Sequence, residues 1–343
     1  MKAVILAGGS GERFWPYSTL DRPKQFLHLF NNRSLLKNTY DRLRERFSPS
    51  DIMIITSERF VDLTREELPE LPVENILGEE HGKNTAAACM IGTLAADDDE
   101  PVLIVPADHY IGDVDRYWES FERAVKSMRA HDGIYTFGIA PTREETGYGY
   151  IEIGDEISPG VNKARSFIEK PELVKARSFA ASGKHLWNSG MFLWKRDTFL
   201  REMEMWAPSV FIPLKGVDPR EPRSVNEAYR SVESISIDNA LLERSEMVYV
   251  VKGDFSWSDI GSWLSIMEME GPSNETDSIA LPGSSNILVK SRSKRKIAVV
   301  GLSDVIVVLS EEGLLVCSSE NSQKVKEAVS HFRKYSTGKQ RST

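Results

Sequence analysis

The chain has little of several things, and each shortage removes a class of protein. Cysteine occurs twice in 343 residues, Cys89 in AAACMIGTLAA and Cys317 in GLLVC. Both settings are apolar, so two buried thiols in a reducing cytoplasm are expected rather than a disulfide framework. The six histidines are scattered and make no pair at zinc-ligand spacing. No apolar run approaches the roughly 18 residues of a membrane span. The run nearest the N-terminus, AVILA, is too short for a signal peptide and leads into glycines. Positive charge is not in excess either: the net charge is −8 and the pI about 5.5. That argues against a nucleic acid or an anionic membrane as partner, while a local basic pocket stays compatible with it. No internal repeat is strong enough to name.

What remains is an ordinary globular composition, 41% hydrophobic and 27% charged with 16 prolines, long enough for a large core and about two domains. Residues 3–7 and the segments DIMIIT (51–56), VLIVPADH (102–109) and GIYTFGIA (133–140) read as strands. Between them Ser34 can cap a helix with Leu35, Thr39, Leu43 and Phe47 on one face, NTAAACMIGTLAAD (84–97) is helical, and Trp118, Phe121, Val125 and Met128 form a helical stripe. Strands alternating with helices imply an α/β fold, a Rossmann-like mixed, mostly parallel sheet flanked by helices. Ligands of such sheets bind beyond the carboxyl ends of the strands, where both the glycine turn after residue 7 and Asp108 fall. Later, YGYIEI, KARSFIEKP and LWNSGMFLW read as strands, with helices around 196–206, 224–231 and 238–244. A polar linker, EGPSNETDS, then precedes short strands (NILVK, KIAVVG, DVIVVL, GLLVC) and a polar helix or tail from about 320. The expected division is a domain over 1–270 and a small all-β domain over 275–343.

The turn GGSGERFWP, with Pro23 and Lys24 beyond it, is the densest signal. It is not a Walker A loop, because no Lys-Ser or Lys-Thr follows at the required spacing. It is not a dinucleotide loop: Gly9 and Gly11 fit G-x-G-x-x-G, but position 14 is Phe. Glycines let backbone N–H groups approach phosphate oxygens, and Arg13 and Lys24 add charge suited to a triphosphate. Asp108 and Asp259, each at the end of an apolar or aromatic segment, could hold Mg²⁺ or cap helices; their separation in sequence pairs them with nothing. Asp238 could orient a site or cap a helix, and Asn84 could contact a ligand or start its helix. His109 reads as a supporting neighbour of Asp108, and Tyr148 and Tyr150 as packing.

L-A-G-G-x-G-x-R-F-x-P followed by P-K-Q resembles the signature of sugar-1-phosphate nucleotidyltransferases. EEHGKNTAAA, VPADH, ETGYGYIE, FIEKP, WNSGMFLW, SIDNALLE and FSWSDIGSW resemble the mannose-1-phosphate guanylyltransferase (GDP-mannose pyrophosphorylase) branch of that family over about residues 1–270. The tail resembles that branch's short β-helix-like appendage. The resemblance implies GTP and mannose 1-phosphate as substrates, GDP-mannose and pyrophosphate as products, Mg²⁺ as cofactor, a homodimer and a cytoplasmic site of action. It implies Leu6, Ala7, Gly8, Gly9, Gly11, Arg13, Lys24, Glu79, Asn84 and Asp108 at the nucleotide. Gly147, Glu169, Lys170, Asn188 and Asp238 fall at the sugar phosphate, Asp108 and Asp259 at the metal, and Arg13, Lys24, Asp108 and Asp259 carry catalysis. The alternatives are another nucleotide and hexose 1-phosphate pair on the same fold, or a non-catalytic homologue that senses nucleotide sugars.

Overall fold

Lys2–Ala7 (β1) has Ala3, Val4 and Ile5 without exposed surface. A strand apolar on both sides belongs inside a sheet with both faces covered. The computed structural model, which describes residues 1–9, 11–274, 278–280 and 282–339, puts it there. β1 lies parallel between Ile52–Ser57 (β2) and Pro101–Pro106 (β4), with Ile5 opposite Ile54 and Val105. Ile76–Glu79 (β3), Ile134–Ile139 (β5), Tyr150–Ser158 (β6), Val161–Ile168 (β7), His185–Lys195 (β8) and Val248–Gly253 (β9) complete the sheet. Its order is β3-β2-β1-β4-β8-β5-β9-β7-β6. β7 and β8 run against the other seven strands, so the sheet is mixed.

The helices are Leu35–Arg44 (α1), Val61–Glu67 (α2), Asn84–Leu94 (α3), Val114–Met128 (α4), Leu173–Ser182 (α5), Arg196–Trp206 (α6), Pro208–Leu214 (α7), Pro222–Tyr229 (α8), Trp263–Glu270 (α9) and Val325–Lys339 (α10). α3 is apolar all round, and Ala86 through Thr93 are all buried, as expected for a helix enclosed on every side. Gly92 lets it approach β1, since a Cβ there would come within 2.7 Å of Val4. On α4 the buried stripe runs Trp118, Phe121, Ala124, Met128; Val125 is only half-buried, because Ala124 takes the inward position one turn after Phe121. The helix expected over 238–244 is one π turn, Asp238–Leu242. The strand expected to reach Asp108 ends at Pro106.

The chain folds as two compact units built from interleaved segments. One contains Met1–Gly8, Lys37–Ala107 and Ile111–Trp257; the other contains Gly9–Leu36, Asp108–Tyr110 and Ser258–Thr343. The first holds the large sheet. In the second, Ser285–Ser291 (β10) pairs parallel with Ser303–Ser310 (β11), which pairs antiparallel with Gly313–Ser318 (β12). The strand alternation splits this unit's apolar residues two ways. Leu288, Ile306 and Val308 join Phe14, Tyr17, Leu27, Trp263 and Val325 in one core. Ile287, Val289 and Val307 turn to a smaller core with Val299. Cys89 and Cys317 are both free thiols, the first buried and the second half-buried.

Candidate active site

The glycine turn is shaped by a close approach. Gly11 is left-handed, with φ +60°, and a Cβ on it would stand 2.6 Å from the Lys24 backbone nitrogen, so only glycine fits. The following turn, Glu12–Phe14, is pinned by Phe14, buried with its ring centroid 5.2 Å from that of Trp263. The Lys24 ammonium is 2.9 Å from Asp108 Oδ2 and also donates to the Asp259 carbonyl. Burial pushes the Asp108 carboxyl up, but Lys24 and then His109 outweigh it, and the group is held below the usual carboxylate range. His109 Nε2 is 4.0 Å from Asp108 Oδ1. After Asp259 the backbone turns left-handed at Ile260, φ +45°, whose side chain is fully buried. A β-branched residue held there costs on the order of 1–2 kcal/mol, and its burial in the core is what keeps it in place.

These groups line one pocket of about 360 Å³ within the second unit: Gly9, Gly11, Arg13, Lys24, Asp108, His109, Asp259 and Lys326. Lys24 is engaged by Asp108 and the Asp259 carbonyl. Among the described residues, the side chains of Arg13 and Lys326 have neither a hydrogen bond nor an ion pair. Two unpaired cations beside a glycine turn form a place for phosphate. Leu6 and Ala7 end β1 with their carbonyls taken by Ala107 N–H and Thr56 Oγ1, and exposed Gly8 follows.

The first unit holds a second polar cluster. Asn188 Oδ1 accepts from Thr136 Oγ1 at 2.8 Å and from Gly190 N–H at 3.2 Å. Both donors fix which end of the amide is oxygen, and Asn188 Nδ2 donates to Asp238 Oδ1 at 2.9 Å. Burial, then the nearby Glu169, raises the Asp238 carboxyl to about 7. Lys170 pairs with Glu169 at 2.7 Å, and Glu169 N–H donates to Glu243 Oε1 at 3.1 Å. Gly147 N–H is already used by Glu145 Oε1 at 2.9 Å. Tyr148 packs on Trp187 and Trp257, with ring centroids 5.2 Å away in each case, and the Tyr150 hydroxyl accepts from Glu145 N–H.

Glu79 and Asn84 stand apart from that cluster's hydrogen bonds. Glu79 ends β3, and burial raises its carboxyl to about 7. The Tyr229 hydroxyl is close to it without closing a hydrogen bond of ordinary geometry. Asn84 opens α3 in a left-handed conformation, φ 66°, and its Oδ1 accepts from Thr85 N–H at 2.8 Å. Sequence reasoning passed over Thr136, Glu243 and Lys326. Thr136 is hidden in an apolar strand and Lys326 in a tail without a motif; Glu243, in SIDNALLE, was the one within reach.

A glycine turn at the end of a central β-strand, leading to cations and two carboxylates on one pocket, defines an α/β enzyme that handles phosphorylated substrates. The chain belongs to the nucleotidyl transferase family, whose model matches residues 2–274. A second model, the MannoseP isomerase/GMP-like beta-helix domain, matches 279–332. The mannose-1-phosphate guanylyltransferase RfbM of Salmonella typhimurium is 33% identical over 96% of this chain and 72% of its own length. The mannose-1-phosphate guanylyltransferase of Escherichia coli is 34% identical over 96% of this chain and 73% of its own. A solved structure from Thermus thermophilus, described as a mannose-1-phosphate geranyltransferase, superposes with a TM-score of 0.84 over 97% of this chain and 99% of that one, at 29% identity. The family resemblance and the fold class drawn from the motifs both hold. No helix among the described residues is long and apolar enough to cross a membrane.

Proposed function

We propose that this chain transfers the GMP moiety of GTP to mannose 1-phosphate, forming GDP-mannose and releasing pyrophosphate. The observation that carries the reading is the pocket in which Lys24 is locked between Asp108 and Asp259 while Arg13 stays unpaired. A phosphate oxygen of mannose 1-phosphate attacks the α-phosphorus of GTP, and the bond to the β-phosphate breaks, its electron pair leaving with pyrophosphate. The nucleophile is already an anion, so no general base is needed; alignment and charge neutralisation carry the rate. The glycine turn and Arg13 receive the triphosphate, and Lys24 holds Asp108 ionised.

Asp108 and Asp259 are hard oxygen donors on one pocket, and no group of three or more His, Cys, Asp or Glu among the described residues forms a complete cation cage. That donor set fits Mg²⁺, which takes its other ligands from phosphate and water and would offset charge on the triphosphate. Lys170 is assigned to the sugar phosphate. Glu169, Asn188 and Asp238 are assigned to the hexose hydroxyls: with Oδ1 and one N–H engaged, Asn188 keeps one N–H to donate. Glu79 and Asn84, at the carboxyl end of β3 and the start of α3, are assigned to guanine. A homodimer in the cytoplasm belongs to the same reading; the two free thiols support the reducing compartment alone.

A pyrophosphate-release assay with Mg²⁺ tests it, crossing GTP, ATP, UTP and dTTP against mannose, glucose and galactose 1-phosphates. Release peaking with GTP and mannose 1-phosphate, and lost in Asp108→Ala and Asp259→Ala, is the expected result. A peak elsewhere in the grid overturns the base or sugar assignment. Silence from a folded protein that binds GDP-mannose favours the sensing homologue.

A further inference from the structure

The phosphate pocket receives a residue from the far end of the chain. Lys326 lies on the first turn of α10, 302 positions beyond Lys24 (326 − 24), and lines the same pocket as Arg13. Its helix is tied down at several points. Val325 and Val329 are buried, Val325 in the core that holds Phe14 and Trp263. In the turn just before the helix, Ser322 Oγ is 3.1 Å from Ser262 Oγ. Phe332 lies against Trp15 with centroids 5.2 Å apart, and Arg333 closes an ion pair on Glu12 of the glycine turn.

We infer that Lys326 is a third cation of the triphosphate pocket and binds the terminal phosphates that leave as pyrophosphate. The inference rests on the nucleotide-binding reading above. Charge supports it first. Glu12 is closed by Arg333, and the side-chain charges of Arg13 and Lys24 equal in number those of Asp108 and Asp259, so before any cation joins the carboxylates it is Lys326 that makes the lining net positive toward a polyanion. Among the described residues the Lys326 side chain has no partner to give up, whereas Lys24 must leave Asp108 to serve phosphate directly. Position supports it second. Lys24 and the Asp108 carboxylate it joins are largely enclosed, as a reacting α-phosphate requires, while Lys326 is exposed. A cation at the exposed side suits the phosphates that must depart into solvent.

The test compares Lys326→Gln, Lys326→Arg and, as a control for charge alone, Lys324→Gln, which is outside the pocket lining. Affinities of the full chain for GTP, pyrophosphate and GDP-mannose are measured by calorimetry, with melting temperature alongside. Lys326→Gln is expected to weaken GTP and pyrophosphate about tenfold, GDP-mannose less than about twofold, and to leave melting unchanged. Lys326→Arg should retain most of the affinity and Lys324→Gln all of it. Unchanged GTP and pyrophosphate binding in Lys326→Gln, or an equal loss for all three ligands, overturns the assignment. If the wild type binds GTP but makes no GDP-mannose, the proposed activity fails while the Lys326 comparison stands. If it binds neither GTP nor pyrophosphate, both fall.

Discussion

Thr136 shows how much one buried hydroxyl can decide. It is fully buried, and its Oγ1 and Gly190 N–H together settle which way the Asn188 amide faces. Thr136→Val keeps the shape and removes one donor, leaving Asn188 Oδ1 under-satisfied. A loss of about 1–2 kcal/mol in stability is expected. If Asn188 donates to the sugar, KM for mannose 1-phosphate should rise several-fold with KM for GTP nearly constant; equal movement of both would make the effect purely structural. Asp238 gives a prediction with a sign. Its carboxyl is raised to about 7 by burial and by Glu169, so from about pH 4 to 7 the folded chain holds a proton that the unfolded chain has released. The unfolded state binds fewer protons there, and stability falls as pH rises through that window. Below it both states are protonated and the penalty vanishes. Asp238→Asn, which still offers an oxygen to Asn188 Nδ2, should therefore be more stable than wild type at pH 8 by up to about 4 kcal/mol and nearly equal to it at pH 4. Melting both proteins across that range checks it. The motifs already named Asn188 and Asp238, but neither Thr136 nor the raised carboxyl was legible, since each depends on what a remote segment places beside it.

Helix α3 was among the most legible elements, because a run of small apolar residues after a polar start has few other readings. Its first residue is less simple. Asn84 is left-handed, and its side chain closes on Thr85 N–H. Neighbouring bonds hold that start in place: Ile237 N–H donates to Thr85 Oγ1 at 2.9 Å and Ala86 N–H to the Ile235 carbonyl at 3.2 Å. Asn84→Ala should cost about 1–2 kcal/mol from the left-handed backbone alone, while Asn84→Gly should recover most of that stability. If Asn84 also contacts guanine, Asn84→Gly restores melting without restoring KM for GTP. Recovery of both by glycine would reduce Asn84 to a backbone role. The sheet was legible strand by strand from apolar runs, yet the order of its strands was not. Nothing in LWNSGMFLW says that it enters between β4 and β5 and runs against both, because register is decided by partners far away in sequence. α5 and α7 escaped notice because one has little amphipathic contrast and the other carries Pro208 and Pro213 within seven residues.

Taken whole, the chain changes texture near residue 271, and the family models also divide there, at 274 and 279. Packing follows another line. One apolar core unites Phe14, Tyr17 and Leu27 from the glycine-turn segment with Trp263 and Ile266 from α9 and with Leu288, Ile306, Val308 and Val325 from the C-terminal part. Polar contacts repeat the pattern: Trp263 Nε1 donates to the Trp15 carbonyl at 3.1 Å, Ser310 Oγ donates to the Pro16 carbonyl at 2.9 Å, and the Arg292 guanidinium stands 4.0 Å from the Tyr17 ring centroid. No local periodicity announces such an arrangement, because three segments separated by hundreds of residues supply it. The consequence is testable by truncation. A chain ended at residue 270 loses five of the buried residues of that core, Leu288, Ile306, Val308, Leu315 and Val325. Each deleted large apolar side chain forfeits about 1.5–3 kcal/mol of burial, and the segment that carries Arg13 and Lys24 would face water where it faced that core. The fragment is expected to keep much of its far-ultraviolet circular dichroism, since the large sheet has its own core. It should bind a hydrophobic dye strongly and lose measurable GTP affinity. A fragment that binds GTP as the full chain does would mean that the turn holds its shape without the C-terminal strands, and would also remove Lys326 from the pocket's requirements.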